Sequence, residues 1–394
     1  MILAHKIELD ATFKQRKYFA SAAGCARFVW NRAVAEWDRQ YADGEKPSGM
    51  KLAKEFNATK YDKFPWMKLV HRDAHARPFL NLDKAYKGYF KKISQKPKFK
   101  KKGRCKDSFA VANDKFRLDG KSVVLPKIGS VRLREELRFT GKIMGAVVSR
   151  TADRWFIAIQ VDVGEHHKPR TGNGVVGVDL GLNVTAMVSD GQRLVGPKSL
   201  KSNLKKLRRA SRSHSRKQKG SQNRKKASRR LARIHAKVAN VRNDWLHKQT
   251  TKLARENQAV YFETLSVKNM VKNRKLSRAI SDAGWAEITR QAEYKSAIYG
   301  GVFGKIDRWH PSSKECNQCG QIKKDLKLSD RVYRCDGCGH EEDRDLNAAK
   351  NIRTAGLAGS YAHGPEGADH RRKAKMKPCR VEVGTKPCPQ VDTL

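Results

Sequence analysis

Val175-Val176-Gly177-Val178-Asp179-Leu180-Gly181-Leu182-Asn183 is the stretch whose reading decides the fold. A short apolar run with strand character ends on a carboxylate, and the glycines around that acid let a backbone or a phosphate come close. An acid at the tip of a buried strand is costly unless it is paired or holds a metal. The same strand and Asp-x-Gly turn also suit actin-like folds that grip ATP phosphates, so this stretch alone leaves two chemistries open.

Working outward, residues 185–189 and 193–195 are strand-like and suit an antiparallel meander begun by 175–179. Gly172, Asn173 and Gly174 form a flexible joint before it, marking the start of a domain. Ala259-Val260-Tyr261-Phe262-Glu263-Thr264-Leu265 repeats the pattern of an apolar strand closed by an acid. Asp345 stands in Asp343-Arg344-Asp345-Leu346-Asn347, which reads as the first turn of a helix, where acids are also ordinary partners of the macrodipole. Metal-assisted phosphodiester hydrolysis needs several carboxylates converging on ions roughly 3.5–4 Å apart. Strand ends bring distant acids together, so Asp179, Glu263 and Asp345 are the candidate set.

Cys316-Asn317-Gln318-Cys319 and Cys335-Asp336-Gly337-Cys338 are separated by 15 residues, the spacing of a four-cysteine zinc ribbon. Gly320 and Gly339 follow the pairs and supply the backbone freedom a knuckle needs, while Val332 and Tyr333 offer a small core. Four thiolates leave no open coordination position, so the zinc is expected to be structural. His340 beside the second pair is read as incidental. The other four cysteines are scattered and form no disulfide framework.

Lys and Arg number 85 against 39 acidic residues, a formal charge of +46 that calls for a polyanionic partner. Between Asp190 and Asp244 there is no acid at all, yet Leu231, Ile234, Val238, Val241 and Trp245 recur at helical spacing. One long helix with a packed stripe and a cationic remainder is expected there. Its nucleic-acid contacts are expected at Arg208, Arg209, Arg212, Arg216, Lys217, Lys219, Arg224 and Lys225, with Lys98, Lys100, Lys101 and Lys102 as a second group. No apolar stretch approaches the roughly 20 residues of a membrane span, and Lys6 and Glu8 interrupt any signal-peptide core. A prokaryotic cytoplasmic protein, nucleoid-associated when on DNA, is expected.

Upstream, residues 14–40 form an amphipathic helix through Phe19, Ala22, Ala26, Val29, Ala33 and Trp37. A further helical pattern passes Leu80, Tyr86 and Phe90. From about 108 to 163 the period shortens and Gly and Pro punctuate it, predicting a small β-barrel or sheet. Trp30, Trp37 and Trp66 are assigned to the core. After about 357 the chain turns Gly-, Pro- and Lys-rich, as a disordered tail does.

Taken together, the run 177–183, the basic stretch with Gly220-Ser221-Gln222-Asn223-Arg224, the run 261–265, the two cysteine pairs and 343–352 resemble, in that order, the TnpB (OrfB) family of transposon-encoded nucleases related to type V CRISPR effectors. Residues 23–31 and 97–100 extend the resemblance into the N-terminal half. It implies an α+β multidomain chain with a helical recognition unit and a small β-barrel wedge, followed by an RNase H-like RuvC domain with a zinc-ribbon insertion. The implied boundaries are 1–9 and 107–170 for the wedge, 10–106 for recognition, 171–309 and 341–356 for RuvC, 310–340 for the ribbon and 357–394 for the tail. Asp179, Glu263 and Asp345 match the family's three carboxylates, Asp343 is an accessory, and residues 281–294 belong to a mobile lid and helix.

The resemblance further implies an RNA-guided double-stranded DNA endonuclease. It would use two Mg²⁺ ions and one Zn²⁺, with a guide RNA from the transposon end and a short flanking motif on the target, and act as a monomer on its RNA. Two alternatives are a guided DNA-binding repressor without cleavage and an unguided structure-specific nuclease; a cut-and-paste transposase fits less well.

Overall fold

The computed structural model describes residues 1–165, 167–327 and 329–362, which fall into two compact units divided after Glu165. In the first, β1 (Ile2–Asp10) leads into α1 (Phe13–Ala42), α2 (Gly49–Lys63) and α3 (Arg72–Phe90). The chain then lays down β2 (Ser108–Ala112), β3 (Arg117–Asp119), β4 (Ser122–Leu125), β5 (Gly129–Leu133), β6 (Lys142–Thr151) and β7 (Arg154–Asp162). These make a seven-stranded sheet in the order β2-β6-β7-β1-β5-β4-β3, where a small barrel or sheet is expected.

The N-terminal strand is central to that sheet. β1 pairs antiparallel with β7 from Ile2 opposite Asp162 to Leu9 opposite Trp155, and with β5 at Leu9 opposite Leu133. Trp155, Ile157, Ile159 and Val161 alternate along β7 and are all buried, as one face of a strand must be. Phe19 of α1 packs its ring 5.4 Å from Trp155, and Thr12 with Gln15 closes a capping box at the helix start. Truncating such a buried aromatic typically costs about 3–5 kcal/mol. Trp30 and Trp37 are buried as expected. Trp66 is not, at 42% exposed, because it lies edge-on against the partly exposed Phe28.

The second unit carries β8 (Gly174–Asp179), β9 (Ala186–Val188), β10 (Arg193–Leu194), α4 (Ser199–Ser215), α5 (Gln222–Glu256) and β11 (Asn257–Phe262). It continues with α6 (Val267–Met270), α7 (Ser277–Ala283), α8 (Trp285–Ile298), β12 (Val302–Lys305), β13 (Val332–Arg334), β14 (Glu341–Asp343) and α9 (Arg344–Ala362). Its main sheet has the order β10-β9-β8-β11-β12. The first three strands form the antiparallel meander, while β8, β11 and β12 run parallel. α9 passes the point at 357 where a tail is expected; the rest of that tail lies outside the described residues.

The acid-free stretch is two helices, not one. α4 ends at Ser215, and after a turn in which Gly220 adopts the left-handed φ +86° the Ser221 hydroxyl accepts from the Arg224 N–H to start α5. The turn is clamped by Arg224, whose Nη1 donates to the carbonyls of His214, Ser215 and Lys217. The start of α4 is held from a distance: Asp282 accepts from the N–H groups of Leu200 and Lys201. Asp282 lies inside α7, and α8 begins after Gly284 at φ +74°.

Candidate metal centres and basic surfaces

Asp179 ends β8, and Glu263 directly follows β11. Because these strands pair in parallel with Val178 opposite Phe262, both acids emerge at the same edge of the sheet. The Leu180 N–H donates to Glu263 Oε1 at 3.1 Å, tying the two strand tips together. The turn after Asp179 is pinned from the other side, where Trp285 Nε1–H donates to the Gly181 carbonyl at 3.2 Å. Trp285 itself is buried, within the segment that the family resemblance assigns to a lid.

Asp345 arrives on α9. That helix lies so close on the sheet that a Cβ at Gly177 would sit 2.1 Å from the Ala349 carbonyl oxygen. One at Gly356 would sit 2.2 Å from the Tyr261 ring. Glycine on the strand and glycine on the helix are thus what permit the approach. Asp343 Oδ1 accepts from the N–H groups of Asp345 and Leu346, so this accessory acid caps the helix that presents Asp345.

The electrostatics mark the three as a set. Burial, then the charges of Glu263 and Asp345, push the Asp179 carboxyl well above the usual carboxylate range. Burial raises Glu263 to about 6, with the Leu180 hydrogen bond opposing. Among the described residues no basic side chain comes within ion-pair distance of any of the three, although the Arg344 charge partly offsets the rise at Asp179. Acids this poorly compensated by protein fit divalent cations, which take oxygen ligands.

The four cysteine sulfurs lie within 4.8 Å of one another, a compactness that no other trio of His, Cys, Asp or Glu reaches among the described residues. The Cys316–Cys338 and Cys319–Cys335 separations are 3.7 and 3.5 Å. A tetrahedron with Zn–S about 2.3 Å requires S–S near 3.8 Å, so the thiols fit zinc. Each knuckle closes alike: Gly320 N–H donates to the Cys316 carbonyl and Gly339 N–H to that of Cys335, at φ +76° and +72°. The N–H groups of Cys338 and Gly337 pull the Cys335 thiol down to about 6.

The link between the two centres escaped the sequence analysis. Asn347, two residues after Asp345 and fully buried, accepts from the Asn317 N–H and donates to the Glu315 carbonyl. Asn351, one turn on, donates to the Ser312 and Glu315 carbonyls, and Lys350 bonds Glu342. The first cysteine knuckle is thereby fastened to the helix that bears Asp345. Paired asparagines on one helical face are the only signal in the sequence, and they do not name their partners.

Of the expected nucleic-acid contacts, Arg208, Arg209, Arg212, Arg216, Lys217, Lys219 and Lys225 are exposed along α4, the turn and the start of α5. Arg224 is half-buried in the turn it clamps. Residues 98–100 are strapped to α1, since Trp30 Nε1–H donates to the Lys98 carbonyl and Asn31 bonds both backbone groups of Lys100. Lys98, Lys101 and Lys102 remain exposed. Lys100 instead places Nζ 3.8 Å over the Trp30 ring. It serves that ring, not an open surface.

Residues 158–274 match the family described as "Probable transposase" (OrfB, IS605), residues 285–352 a Cas12f1-like TNB domain, and residues 1–46 a helix-turn-helix domain of the same OrfB group. A Streptomyces pristinaespiralis protein, named as a candidate RNA-guided DNA endonuclease, is 36% identical across 91% of this chain and 90% of its own. An Escherichia coli K12 protein named in the same way is 33% identical, covering 90% of this chain and 92% of its own. Among solved structures, the Cas12f1 chain of a complex with single-guide RNA and target DNA shares the fold. Its TM-score is 0.57 at 14% identity, over 87% of this chain and 83% of that one.

Proposed function

The chain belongs to the TnpB (OrfB, IS605-type) family, and on that premise we propose that it is an RNA-guided DNA endonuclease whose cutting centre is Asp179, Glu263 and Asp345. The observation that carries the reading is that Asp179, on a strand tip paired to that of Glu263, feels the charges of both Glu263 and Asp345, the latter on a capped helix, with its carboxyl still held high against the opposing Arg344. Two Mg²⁺ ions held there would activate water and stabilise the leaving oxygen. The carboxylates would hold the ions, while Asp343 fixes the helix that carries Asp345 and Trp285 fixes the turn behind Asp179. A two-ion cluster suits carboxylates spread more widely than the thiols, because ligands of different ions need not touch.

The exposed cations of α4 and α5 supply a sequence-blind grip on phosphates, the kind of contact a guided enzyme uses while base pairing chooses the target. The partners in this reading are a guide RNA derived from the transposon end and a double-stranded DNA target bearing a short flanking motif. No described helix is long and apolar enough to cross a membrane. The test is cleavage of a target plasmid by the protein purified with its own RNA. Cutting with Mg²⁺ that EDTA and Asp179→Ala abolish supports the reading. RNA-dependent binding by the wild type with no cutting favours a repressor, and cutting without RNA favours an unguided nuclease.

A further inference from the structure

A cavity of about 370 Å³ opens beside Glu263, between the segments that follow β11 and β12. Thr264, Ser266 and Asn269 line it from one segment, Arg308, His310 and Ser312 from the other. The two are joined where the Thr264 hydroxyl donates to the Ile306 carbonyl at 2.6 Å. Its volume lies at the lower end of ligand pockets, which start at roughly 300 Å³. Leu265, Met270 and Ile306 give the wall an apolar part and Glu263 and Asp307 two carboxylates, while its hydroxyl, amide, imidazole and guanidinium groups are the chemistry that meets sugar and phosphate oxygens.

Trp309 stands between two of those lining residues but is itself 80% exposed. A solitary exposed aromatic needs no functional explanation. This one differs in three respects. Its backbone is fixed, because its N–H donates to Asp307 Oδ1 at 2.7 Å. The Arg308 guanidinium sits 5.0 Å from the ring centroid, covering one face while the ring as a whole stays open. And the cavity under the same loop borders a carboxylate of the candidate cutting centre.

A phosphodiester presented to that centre brings a nucleotide on either side of it, and those bases must be placed somewhere. We propose that Trp309 is a base-stacking platform for single-stranded DNA, holding a base next to the scissile phosphate while the cavity beside Glu263 takes that nucleotide's sugar and phosphate. This rests on the nuclease reading and adds a strand-positioning residue to it. Every base has a π-face, so stacking tolerates any sequence, as an enzyme guided by pairing requires.

The test uses the full chain with its copurified RNA, in Ca²⁺ so that bound strands stay intact. Single-stranded DNA oligonucleotides complementary to the guide segment of that RNA carry the fluorescent base 2-aminopurine at successive positions, and wild type, Trp309→Phe and Trp309→Ala are compared. Quenching confined to one or two adjacent positions, kept by Phe and lost by Ala, is expected. Cleavage of the same strand in Mg²⁺ should then fall roughly ten-fold for Ala alone, the order of one lost base stack. An unchanged quenching profile in Trp309→Ala overturns the platform. Failure of the wild type to cut in Mg²⁺ counts against the nuclease reading, and the quenching result stands independently of it.

Discussion

The second unit carries two contrasting candidate metal centres. The cysteine centre is closed: four thiols face one another, each knuckle repeats the same glycine turn, and the small core around Tyr333 exists to hold them. The carboxylate centre is open. Its acids come from elements 82 residues or more apart in pairwise sequence, the two strand tips are tied through the Leu180 N–H, and one of the three, Glu263, borders a cavity. A fold that wants an immobile ion supplies every ligand itself, whereas one that wants chemistry leaves positions for water and substrate.

The largest effect expected is at the open centre. Asp345→Asn keeps the size and the helix start but removes a charge, so cleavage should fall ~10³-fold or more, because several kcal/mol of charge stabilisation depend on the ions. Guide RNA binding and zinc content, measured by filter binding and metal analysis, should be unchanged. A variant that still cuts at a tenth of the wild-type rate would remove Asp345 from the centre.

Cys335→Ser attacks the closed centre and should do something different in kind. Zinc should be lost, the ribbon should loosen, and Asp345 should shift with it through Asn347 and Asn351. An ångström-scale misplacement costs roughly 10²-fold in rate, so cleavage should drop by about that factor and not recover with excess Mg²⁺. Full activity in the zinc-free variant would mean that the two centres are mechanically separate.

How much of this was written locally explains what the sequence disclosed. Asp179, Glu263 and the cysteine pairs were legible because strand tips and knuckles impose their pattern on consecutive residues. The break at Gly220 was not, since a glycine amid Lys, Ser and Gln looks like any polar helix surface until its φ is known. Lys100 and Arg224 read as free cations for the same reason. Their partners, the Trp30 ring and three carbonyls of the preceding helix end, are properties of the tertiary fold. The tie from Asn347 to Asn317 spans 30 residues and leaves no trace in either segment.

That tie can be cut without touching a ligand. Asn347→Ala leaves the Asn317 N–H without its acceptor and the Glu315 carbonyl with Asn351 as its remaining donor, a cost of about 1–3 kcal/mol. Zinc should stay bound, while cleavage should weaken about ten-fold, the scale of lost support around a metal ligand. Retained zinc with reduced cutting would locate the coupling in this bond. Loss of zinc would instead make Asn347 part of the closed centre, and the contrast between the two would blur.

The smallest effect concerns stability alone and separates the centres by pH. Burial raises Glu263 in the folded chain from an ordinary value near 4.5 to about 6, and Asp179 moves in the same direction. A carboxyl raised on folding destabilises the folded state fully when pH is above its folded value, and the penalty fades as pH falls from there toward the unfolded value. Protein stripped of Mg²⁺ but keeping its zinc should therefore gain stability between pH 7 and pH 5, by about 2–4 °C in melting temperature. Mg²⁺ should reproduce that gain at pH 7.5 and add little at pH 5, because protonated acids no longer repel one another or hold the ion. Glu263→Gln should flatten the metal-free profile, since it removes the group whose charging is opposed. A profile that stays steep in Glu263→Gln but flattens in Asp179→Asn would assign the titration to Asp179, and one that stays steep in both would place it outside the centre.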